Sequence, residues 1–217
     1  MIISHGRKYI FVHIPKTGGT SLALALEAKA MKDDILIGDT PKARQRRGRL
    51  KDVQTRGRLW KHARLRDVYG LVDQAQIEQY FVFTLVRNPW DRMVSYYHWL
   101  RQQRFAHPAV TLAKGLGFSE FLNDRATQAS LSGDTAVQYV SDRNSVDRCD
   151  LYLRLEHLET DLTTLQQKIG LNLPPLAHSN PSHREAGYTQ YYNRADAALI
   201  AELFADDIAR FGYRFDP

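Results

Sequence analysis

The sequence contains one cysteine, Cys149, among its 217 residues. A single cysteine excludes a disulfide within the chain and a metal site built from several cysteines. We expect Cys149 to be a small buried hydrophobic side chain. Long apolar runs are also absent, since the longest, around 10–12 and 81–86, have only the length of strands, whereas a membrane span needs about 20 residues. The N-terminal MIISHGRKY has no apolar signal segment, so we expect a cytoplasmic protein without a membrane span.

Acidic residues are fewer than basic ones, 24 against 30, which gives a formal net charge of +6. The surplus is local: residues 42–66 hold 11 Lys or Arg and one acid, Asp52, while the rest of the chain holds 19 basic and 23 acidic residues. Concentrated positive charge indicates an anionic partner, such as nucleic acid, a membrane surface, a phosphate-bearing cofactor or an acidic glycan. No apolar period runs through this basic segment, so it is predicted to be mobile and to become more regular from Leu59.

Three short runs rich in β-branched, aromatic or leucine residues are each followed by a helix-forming segment. These runs are Lys8–Ile14, Tyr80–Val86 and Leu151–Leu155. Strands that alternate with helices predict a single α/β domain over residues 1–217, with a mainly parallel central sheet flanked by helices. The C-terminal ADAALIAELFADDIARFG predicts one more amphipathic helix, and residues 105–147 predict a helical cap or insertion.

The turn IPKTGGTS, after the first strand, combines the features of a phosphate cradle. Gly18 and Gly19 let backbone N–H groups approach an anion, and the start of the following helix adds a partial positive charge. Lys16 supplies a full charge, while Thr20 and Ser21 supply hydroxyl donors. The alternative interpretation is a plain glycine-containing turn between a strand and a helix.

The chain lacks the nucleoside triphosphatase form of such a loop. That form reads GxxxxGK[ST], with the lysine beside the Ser or Thr that holds magnesium, whereas Lys16 precedes the glycines. The second strand ends in Arg87 rather than in an acid that could hold magnesium. The loop is therefore predicted to bind an anion without an obvious set of metal ligands.

Arg87 and Ser95 flank the start of the second helix. Asn88 is a good N-cap, Pro89 suits the first helical position, and Asp91 is favourable in the first turn. Because ligands of parallel α/β sheets lie at the carboxyl ends of the strands, we expect Arg87 at the same edge as the glycine turn. Arginine forms bidentate hydrogen bonds with phosphate, and a serine hydroxyl adds another donor. Together with the first loop, these residues predict a two-ended anion site.

Both motifs resemble those of a known enzyme family. IFVHIPKTGGTSL resembles the 5′-phosphosulfate loop of sulfotransferases, and TLVRNPWDRMVSYYHWL resembles their 3′-phosphate motif. The pattern is similar to that of the second sulfotransferase family, which includes Golgi glycan O-sulfotransferases, such as the heparan sulfate 2-O enzymes, and soluble bacterial relatives. LYLRLEHLETDL and HSNPSHREAGYTQYY resemble later family landmarks, so the resemblance spans most of the chain.

The resemblance implies a P-loop-like three-layer fold and a set of site residues. The cofactor is expected to be 3′-phosphoadenosine 5′-phosphosulfate (PAPS), with 3′-phosphoadenosine 5′-phosphate (PAP) as product and no metal. Arg87 and Ser95 are expected to hold the 3′-phosphate, and a late loop over 180–188 to close over the nucleotide through Ser182 and Arg184. Lys16 is also suited to neutralise the leaving oxygen. The residues expected to hold the 5′-phosphosulfate are Lys16, Thr17, Gly18, Gly19, Thr20 and Ser21.

A histidine is the natural general base near neutral pH, and eight compete for this role. His62, in LWKHARLRDVYG, is our prediction because the resemblance places a catalytic histidine in a KHA-type segment just upstream of the second motif. Trp60 beside it offers a surface on which a sugar can stack. We expect His13 to be packed within its strand, and His98 stays an alternative base because it lies three residues after Ser95. The other interpretation of His62 is a solvated residue in a basic run.

These features predict a sulfotransferase that moves a sulfuryl group from PAPS to an acceptor hydroxyl by in-line displacement. The acceptor is expected to be a saccharide, and an acidic one if the basic segment contacts it. A small alcohol and a lipid headgroup stay open as acceptors, and the basic segment is alternatively only a mobile loop. Two other functions stay open. A P-loop nucleotide kinase or hydrolase is disfavoured by the absent GK[ST]. A nucleic-acid-binding module over 42–66 is disfavoured because aromatic residues are not interleaved there. We expect no specific nucleic-acid partner, and the oligomeric state stays open.

Overall fold

The computed structural model of the chain describes residues 1–176 and 187–216. These residues form two compact units, one of 1–86 with 136–176 and one of 87–135 with 187–216. The single domain over the whole chain stays a prediction. Among the described residues, none of the helices combines the length and the apolar composition that crossing a membrane requires.

The first unit contains a five-stranded sheet. In chain order its strands are β1 (Ile2–Ser4), β2 (Tyr9–Val12), β3 (Ile35–Leu36), β4 (Phe81–Val86) and β5 (Leu151–Arg154). Their spatial order is β3-β1-β2-β4-β5. β2, β4 and β5 are parallel neighbours, whereas β1 pairs antiparallel with both β2 and β3. The sheet is thus mixed, and it is parallel where the two sequence motifs are attached. The predicted α/β fold is confirmed.

The three parallel strands were predicted, and their register aligns their carboxyl ends. Val12 is opposite Thr84, and Val86 is opposite Arg154. The buried hydroxyl group of Thr84 donates a hydrogen bond of 2.7 Å to the carbonyl group of Val12. This bond attaches the end of β2 to β4 and so supports the turn that follows β2.

Helices cover both units, and residues 105–147 contribute to each. That stretch, predicted as a helical cap or insertion, holds four helices, of which the last belongs to the first unit. Its role as a cap stays a prediction. The helices are α1 (Gly19–Ala28), α2 (Pro41–Arg46), α3 (Gln74–Gln79), α4 (Pro89–Gln102), α5 (Pro108–Gly115), α6 (Phe118–Asn123), α7 (Arg125–Leu131), α8 (Ala136–Val140), α9 (Leu158–Ile169), α10 (Arg194–Leu203) and α11 (Ala205–Phe211).

The core of the first unit is built from α1, α9 and the sheet. Leu22 and Leu26 lie one helical turn apart on α1 and are fully buried, as is Leu165 on α9. They pack with Phe11 and Phe83, which stack on each other across β2 and β4 with ring centroids 5.5 Å apart. The leucine side chains spaced along SLALALEA therefore face the sheet. Their packing holds the start of α1 against the end of β2.

The second unit has its own core, centred on α4. Trp90, Met93 and Tyr97 form a buried stripe at helical spacing and pack with Phe121 and Phe204. The side chain of the predicted N-cap of α4 accepts hydrogen bonds from the backbone N–H groups of the second and third helical residues.

The single C-terminal helix predicted from the sequence is instead two helices, α10 and α11. The chain leaves helical geometry at Phe204, with φ −118° and ψ 27°. Its side chain is fully buried in the second core, and we attribute the break to this burial, which reorients the last two helical turns.

Candidate functional site

The turn between β2 and α1 has a strained backbone. Lys16 has φ 64° and Gly18 has φ 85°, both in the left-handed region. For a residue with a Cβ atom this conformation costs about 1–2 kcal/mol, and such strain concentrates at functional sites. The buried hydroxyl group of Thr17 donates to the carbonyl group of Ile14 at 2.9 Å and holds the turn. Turns of this kind gather backbone N–H groups into an anion-binding concavity.

The start of α1 continues this concavity. Among the described residues no side chain caps the helix, whose N-cap is Gly18, and its first turn contains no acidic residue. A Cβ atom on Gly19 would lie 2.5 Å from the imidazole ring of His13, and one on Gly18 would lie 2.9 Å from a methyl group of Leu155. Close packing against the buried ring of His13 therefore requires Gly19, whereas the left-handed backbone, with φ 85°, favours glycine at Gly18. The N–H groups at the start of a helix have no partner within the helix and can face an anion.

Two histidines stand beside this turn. Nδ1 of His62 donates its hydrogen to the carbonyl oxygen of His13 at 2.8 Å. Because a carbonyl oxygen only accepts, this bond places the proton of neutral His62 on Nδ1 and leaves the lone pair on Nε2. The two rings meet edge to face, with centroids 4.7 Å apart.

Burial sets the protonation of both rings. Desolvation lowers the pKa of His62 to about 3, against the opposing effect of its hydrogen bond to His13. Desolvation, followed by the nearby His62, also lowers the pKa of His13 well below its usual value. Both imidazoles are therefore uncharged at neutral pH. His13 is packed, as expected, and His62 is largely buried rather than solvated.

Ring contacts link the glycine turn to the surface. The imidazole of His13 lies against Gly19, and His62 lies against His13. The indole of Trp60 packs edge-on against His62, with centroids 5.1 Å apart, and is itself 47% exposed. A continuous row of aromatic rings thus joins the turn to an exposed side chain that lines a cavity of about 790 Å³.

The α-helical part of the basic segment comes before Leu59, contrary to the prediction, while residues 51–58 contain only turns, bends and irregular backbone. Residues 41–46 form α2, and residues 47–50 add a 3₁₀ turn. The hydroxyl group of Thr40 caps α2 by accepting from the N–H group of Ala43, and it donates to the buried carboxylate of Glu27. Burial raises the pKa of Glu27. These contacts attach α2 to the C-terminal end of α1, which composition alone did not predict.

Arg87 in the second unit is fixed by a carboxylate. Its Nε and Nη2 atoms each lie 2.6 Å from one oxygen of Asp91, and both side chains are largely buried. Ser95 lies one helical turn beyond Asp91 and is 5% exposed, so these two side chains share one side of α4. Arg87 precedes the N-cap of α4, and its ion pair brings its guanidinium group to Asp91. The ring of His98 instead packs edge-on against Tyr191, with centroids 5.1 Å apart.

The family of the chain is settled by its sequence. The model of the Sulfotransfer_2 sulfotransferase family matches residues 1–214. The chain belongs to the sulfotransferase family. The predictions of family and of enzyme class are thereby confirmed, and the reaction type is transfer of a sulfuryl group.

One solved structure similar to this sulfotransferase is the crystal structure of mouse sulfotransferase SULT7A1 complexed with PAP. It is 15% identical, covers 95% of this chain and 85% of the mouse chain, and has a TM-score of 0.48. The nucleotide belongs to the mouse protein, and the family assignment depends on the sequence match alone. A search of curated proteins found no match.

The predicted site residues belong to different units of the enzyme. The turn residues 16–21 and His62 belong to the first unit, where His13 connects them, while Arg87 and Ser95 belong to the second. Ser182 and Arg184 lie outside the described residues. Sequence reasoning assigned Asp91 only to the helix dipole and His13 only to packing. The spacing of Arg87 and Asp91, i and i+4, was the signal for their ion pair, whereas nothing local connected His13 with His62.

Proposed function

We propose that this sulfotransferase uses PAPS as donor and transfers its sulfuryl group to a hydroxyl group of a carbohydrate. The observation that carries the proposal is the strained turn at Lys16, which precedes an uncapped helix start and is closely packed at both glycines. Such a turn fits an oligoanion such as a phosphosulfate, because backbone N–H groups, the positive end of the helix dipole and the charge of a lysine all stabilise a bound anion.

In this proposal the glycine turn holds the phosphosulfate end of the donor. Lys16, the backbone of Thr17 to Gly19 and the hydroxyls of Thr20 and Ser21 hold the 5′-phosphosulfate. Thr17 contributes its backbone, since its own hydroxyl group is committed to Ile14. When bound, PAPS supplies an activated sulfuryl group with PAP as the leaving group.

Arg87 and Ser95 hold the 3′-phosphate in the same proposal. The carboxylate of Asp91 fixes the orientation of the guanidinium group of Arg87. A fixed guanidinium loses less conformational freedom when it binds a phosphate. Ser182 and Arg184 stay proposed contacts on the sequence resemblance alone.

His62 is the proposed general base. Its Nε2 accepts the proton of the acceptor hydroxyl group as the acceptor oxygen bonds to sulfur and the bond between sulfur and the phosphate oxygen breaks. Lys16 neutralises the negative charge that develops on the departing oxygen. The low pKa keeps Nε2 unprotonated at neutral pH, and the negative charge of a bound donor raises that pKa towards neutrality, where a general base is most effective.

A label-transfer screen tests the reaction and the acceptor class. PAPS carrying ³⁵S is incubated with the enzyme and with saccharides, small alcohols and lipid headgroups, and we expect label on saccharides. Label confined to alcohols or lipids would contradict the carbohydrate proposal while leaving PAPS as donor. Magnesium-dependent ATP hydrolysis without sulfuryl transfer would instead favour a P-loop nucleotide hydrolase.

The donor turn is tested by Lys16→Ala. We expect kcat to fall by about 10²–10³, the loss typical of removing one preorganised group that stabilises developing charge. Lys8→Ala is a matched control, because Lys8 also has a left-handed backbone, with φ 54°, but lies in the turn between β1 and β2. Unchanged rates in Lys16→Ala, or equal losses in both variants, would remove the turn from the donor site.

The cytoplasmic location is likewise a proposal, based on the N-terminal sequence. Fractionation of cells that express the chain tests it, with recovery in the cytosolic fraction as the expected result and recovery with membranes as the opposite one.

A further inference from the structure

His13 lies where the sheet meets the glycine turn. It directly follows Val12, the last residue of β2, and directly precedes the turn IPKTGGTS. Although its side chain is polar, it is only 6% exposed. Burial of a polar ring is unfavourable unless its surroundings compensate for it, so the contacts of this ring indicate why a histidine stands at this position.

Three contacts fix the ring of His13. It stacks on Phe11, two residues earlier on the same face of the strand, with ring centroids 5.8 Å apart. It lies against the backbone of Gly19, where a Cβ atom would be 2.5 Å from the imidazole. The ring of His62 meets it edge to face, with centroids 4.7 Å apart. The ring of His13 is therefore held between the strand, the glycine turn and His62.

The backbone of His13 also holds His62. Its carbonyl oxygen accepts the hydrogen on Nδ1 of His62 at 2.8 Å, which selects one tautomer of the neutral ring. A single hydrogen bond leaves an imidazole free to tilt, and the rings of His13 and Trp60 limit that tilt for His62. One residue thus supplies both the hydrogen-bond acceptor and an aromatic contact of the proposed base.

The contacts of the His13 ring depend on shape rather than on charge. Desolvation, followed by the neighbouring His62, lowers the pKa of His13 well below its usual value, so this ring is neutral near pH 7. A second cation beside His62 would oppose the protonation of His62 during transfer. A neutral ring at this position orients His62 without that electrostatic cost.

We propose that His13 is a positioning residue, which orients His62 relative to the glycine turn. His13 exchanges no proton in this proposal: its carbonyl group selects the Nδ1–H tautomer of His62, and its ring fixes the direction of the Nε2 lone pair. The inference rests on the proposed role of His62 as base and adds the residue that aligns this base. Because the ring of His13 also lies against Gly19, the alignment depends on the same backbone that is proposed to hold the phosphosulfate.

The first test observes His62 directly, in the full chain without donor. NMR of ¹⁵N-labelled histidine side chains distinguishes the two tautomers, and His62→Gln assigns the signal. We expect wild-type His62 to be the Nδ1–H tautomer and to stay neutral down to about pH 5, since its pKa is about 3. His13→Ala keeps the carbonyl group but removes the ring, so we expect a mixture of tautomers and a pKa that rises towards 6.5 as solvent reaches His62.

This shift in pKa reports on the burial of His62. The other titratable groups that act on His62 are Lys61, Asp39 and the amino group of Met1, and none of them is changed in His13→Ala. Lys61 and Asp39 also pair with each other at 2.9 Å. A rise in the pKa of His62 therefore follows from loss of the covering ring.

The second test separates positioning from donor binding. Misplacement of a reacting group by about 1 Å can cost about 10²-fold in rate, so we expect kcat to fall by about 10–10² in His13→Ala. The Kd for PAP should stay within a few-fold, because the bond from Thr17 to Ile14 still holds the turn. His13→Asn removes less volume and should change each measurement in the same direction, which keeps the test available if His13→Ala does not fold.

Ile77→Ala is the matched control. Ile77 is a buried side chain of the same unit, 1% exposed, and lies on α3. Its truncation lowers stability by opening a cavity in the core, but in the folded protein it should leave kcat and the tautomer and pKa of His62 unchanged. Unchanged His62 signals in both His13 variants, or the same changes in Ile77→Ala, would overturn the inference.

The outcomes also separate this inference from the proposed function. If sulfuryl transfer requires His62 while both His13 variants retain the tautomer and pKa of His62 and the wild-type kcat, the positioning role alone is wrong. If His62→Ala transfers sulfuryl groups at the wild-type rate, the proposed base fails, and this inference fails with it.

Discussion

The two regions of this sulfotransferase that are proposed to bind anions are constructed differently. The region around Lys16 is built mainly from backbone, with two left-handed residues, a helix start and two glycines packed against neighbouring side chains. The region around Arg87 is built from side chains, because Arg87 directly precedes the N-cap of α4 and is held by an ion pair with Asp91 on that helix. A site built from backbone depends on shape at every position, whereas a site built from side chains can be adjusted one group at a time. We therefore expect changes near Lys16 to affect catalysis and changes near Arg87 to affect donor affinity.

The largest effect is expected at the histidine that adjoins the backbone-built region. His62→Ala removes the proposed base, so we expect kcat to fall by about 10²–10⁴ while PAP affinity stays within a few-fold. Sulfate transfer under donor saturation, together with calorimetric PAP binding, measures both quantities. His157→Ala is the control, since His157 is an exposed histidine of the same unit. Near-normal turnover in His62→Ala would remove His62 from the mechanism.

A second prediction concerns the shape of the turn. Gly19→Ala places a methyl group against the buried ring of His13. Overpacking of this kind costs about 1–3 kcal/mol of unfolding free energy, partly offset by up to about 1 kcal/mol from the helix propensity of alanine. We expect a net loss of stability in denaturant unfolding and a fall in kcat, because His13 in turn contacts His62.

Gly115→Ala is the matched change at a glycine of α5 that has nothing within 4 Å of its added Cβ atom. That variant should gain stability, by up to about 1 kcal/mol, because alanine is the better helix former. If Gly19→Ala behaves like Gly115→Ala, the turn is not shaped by packing, and the contrast between the two regions disappears.

The side-chain-built region predicts a smaller effect of another kind. Arg87→Lys keeps the charge but loses bidentate hydrogen bonding, so we expect the Kd for PAP to rise about ten-fold, equivalent to about 1.4 kcal/mol, with kcat at saturating PAPS within a few-fold. Arg101→Lys, in the last turn of the same helix, should leave both quantities unchanged. A fall in kcat without a change in the Kd for PAP would contradict our proposal that Arg87 contributes to donor affinity rather than to catalysis.

A further prediction concerns the pH dependence of stability. The pKa of His62 falls from 6.5 in the unfolded chain to about 3 when it is buried, so between these values the unfolded chain binds one more proton at this residue. The free energy of unfolding therefore falls as the pH is lowered from 6.5 towards 3, by up to about 1.4 kcal/mol per pH unit for this group. His62→Gln should reduce this slope in urea titrations at several pH values. An unchanged slope would contradict the burial of a neutral His62.

Much of the fold was predictable because its signals are local. β2, β4 and β5 are continuous apolar runs, the side chain of Asn88 caps α4 as its sequence position indicates, and Gly170 ends α9 in the left-handed conformation with φ 63°. β1 and β3 were not predicted because strands of three and two residues carry no period. The break at Phe204 was missed because the residue continues the helical pattern, and only its burial in the second core distinguishes it.

The candidate site also has a part that could be predicted from local sequence and a part that could not. The glycine turn and the Arg87 region could be identified because their residues are close together in the sequence. The hydrogen bond between His62 and His13 joins positions 49 residues apart, and no local pattern indicates it. Lys42 of the basic segment donates to the carbonyl group of Glu27, and composition cannot distinguish such a cation from one that faces solvent.

The link between Glu27 and Thr40 gives α1 a second role. The N-terminal end of this helix follows directly from the glycine turn, and its C-terminal end holds α2, on which Ala43 lines the cavity. Ten helical residues span about 15 Å, so the length of α1 acts as a ruler that sets the separation between the glycine turn and α2. Inserting one residue in α1 would lengthen that ruler by about 1.5 Å and rotate its far end by about 100°. The number of residues in this helix, and not only their chemistry, therefore fixes where α2 lies relative to the glycine turn.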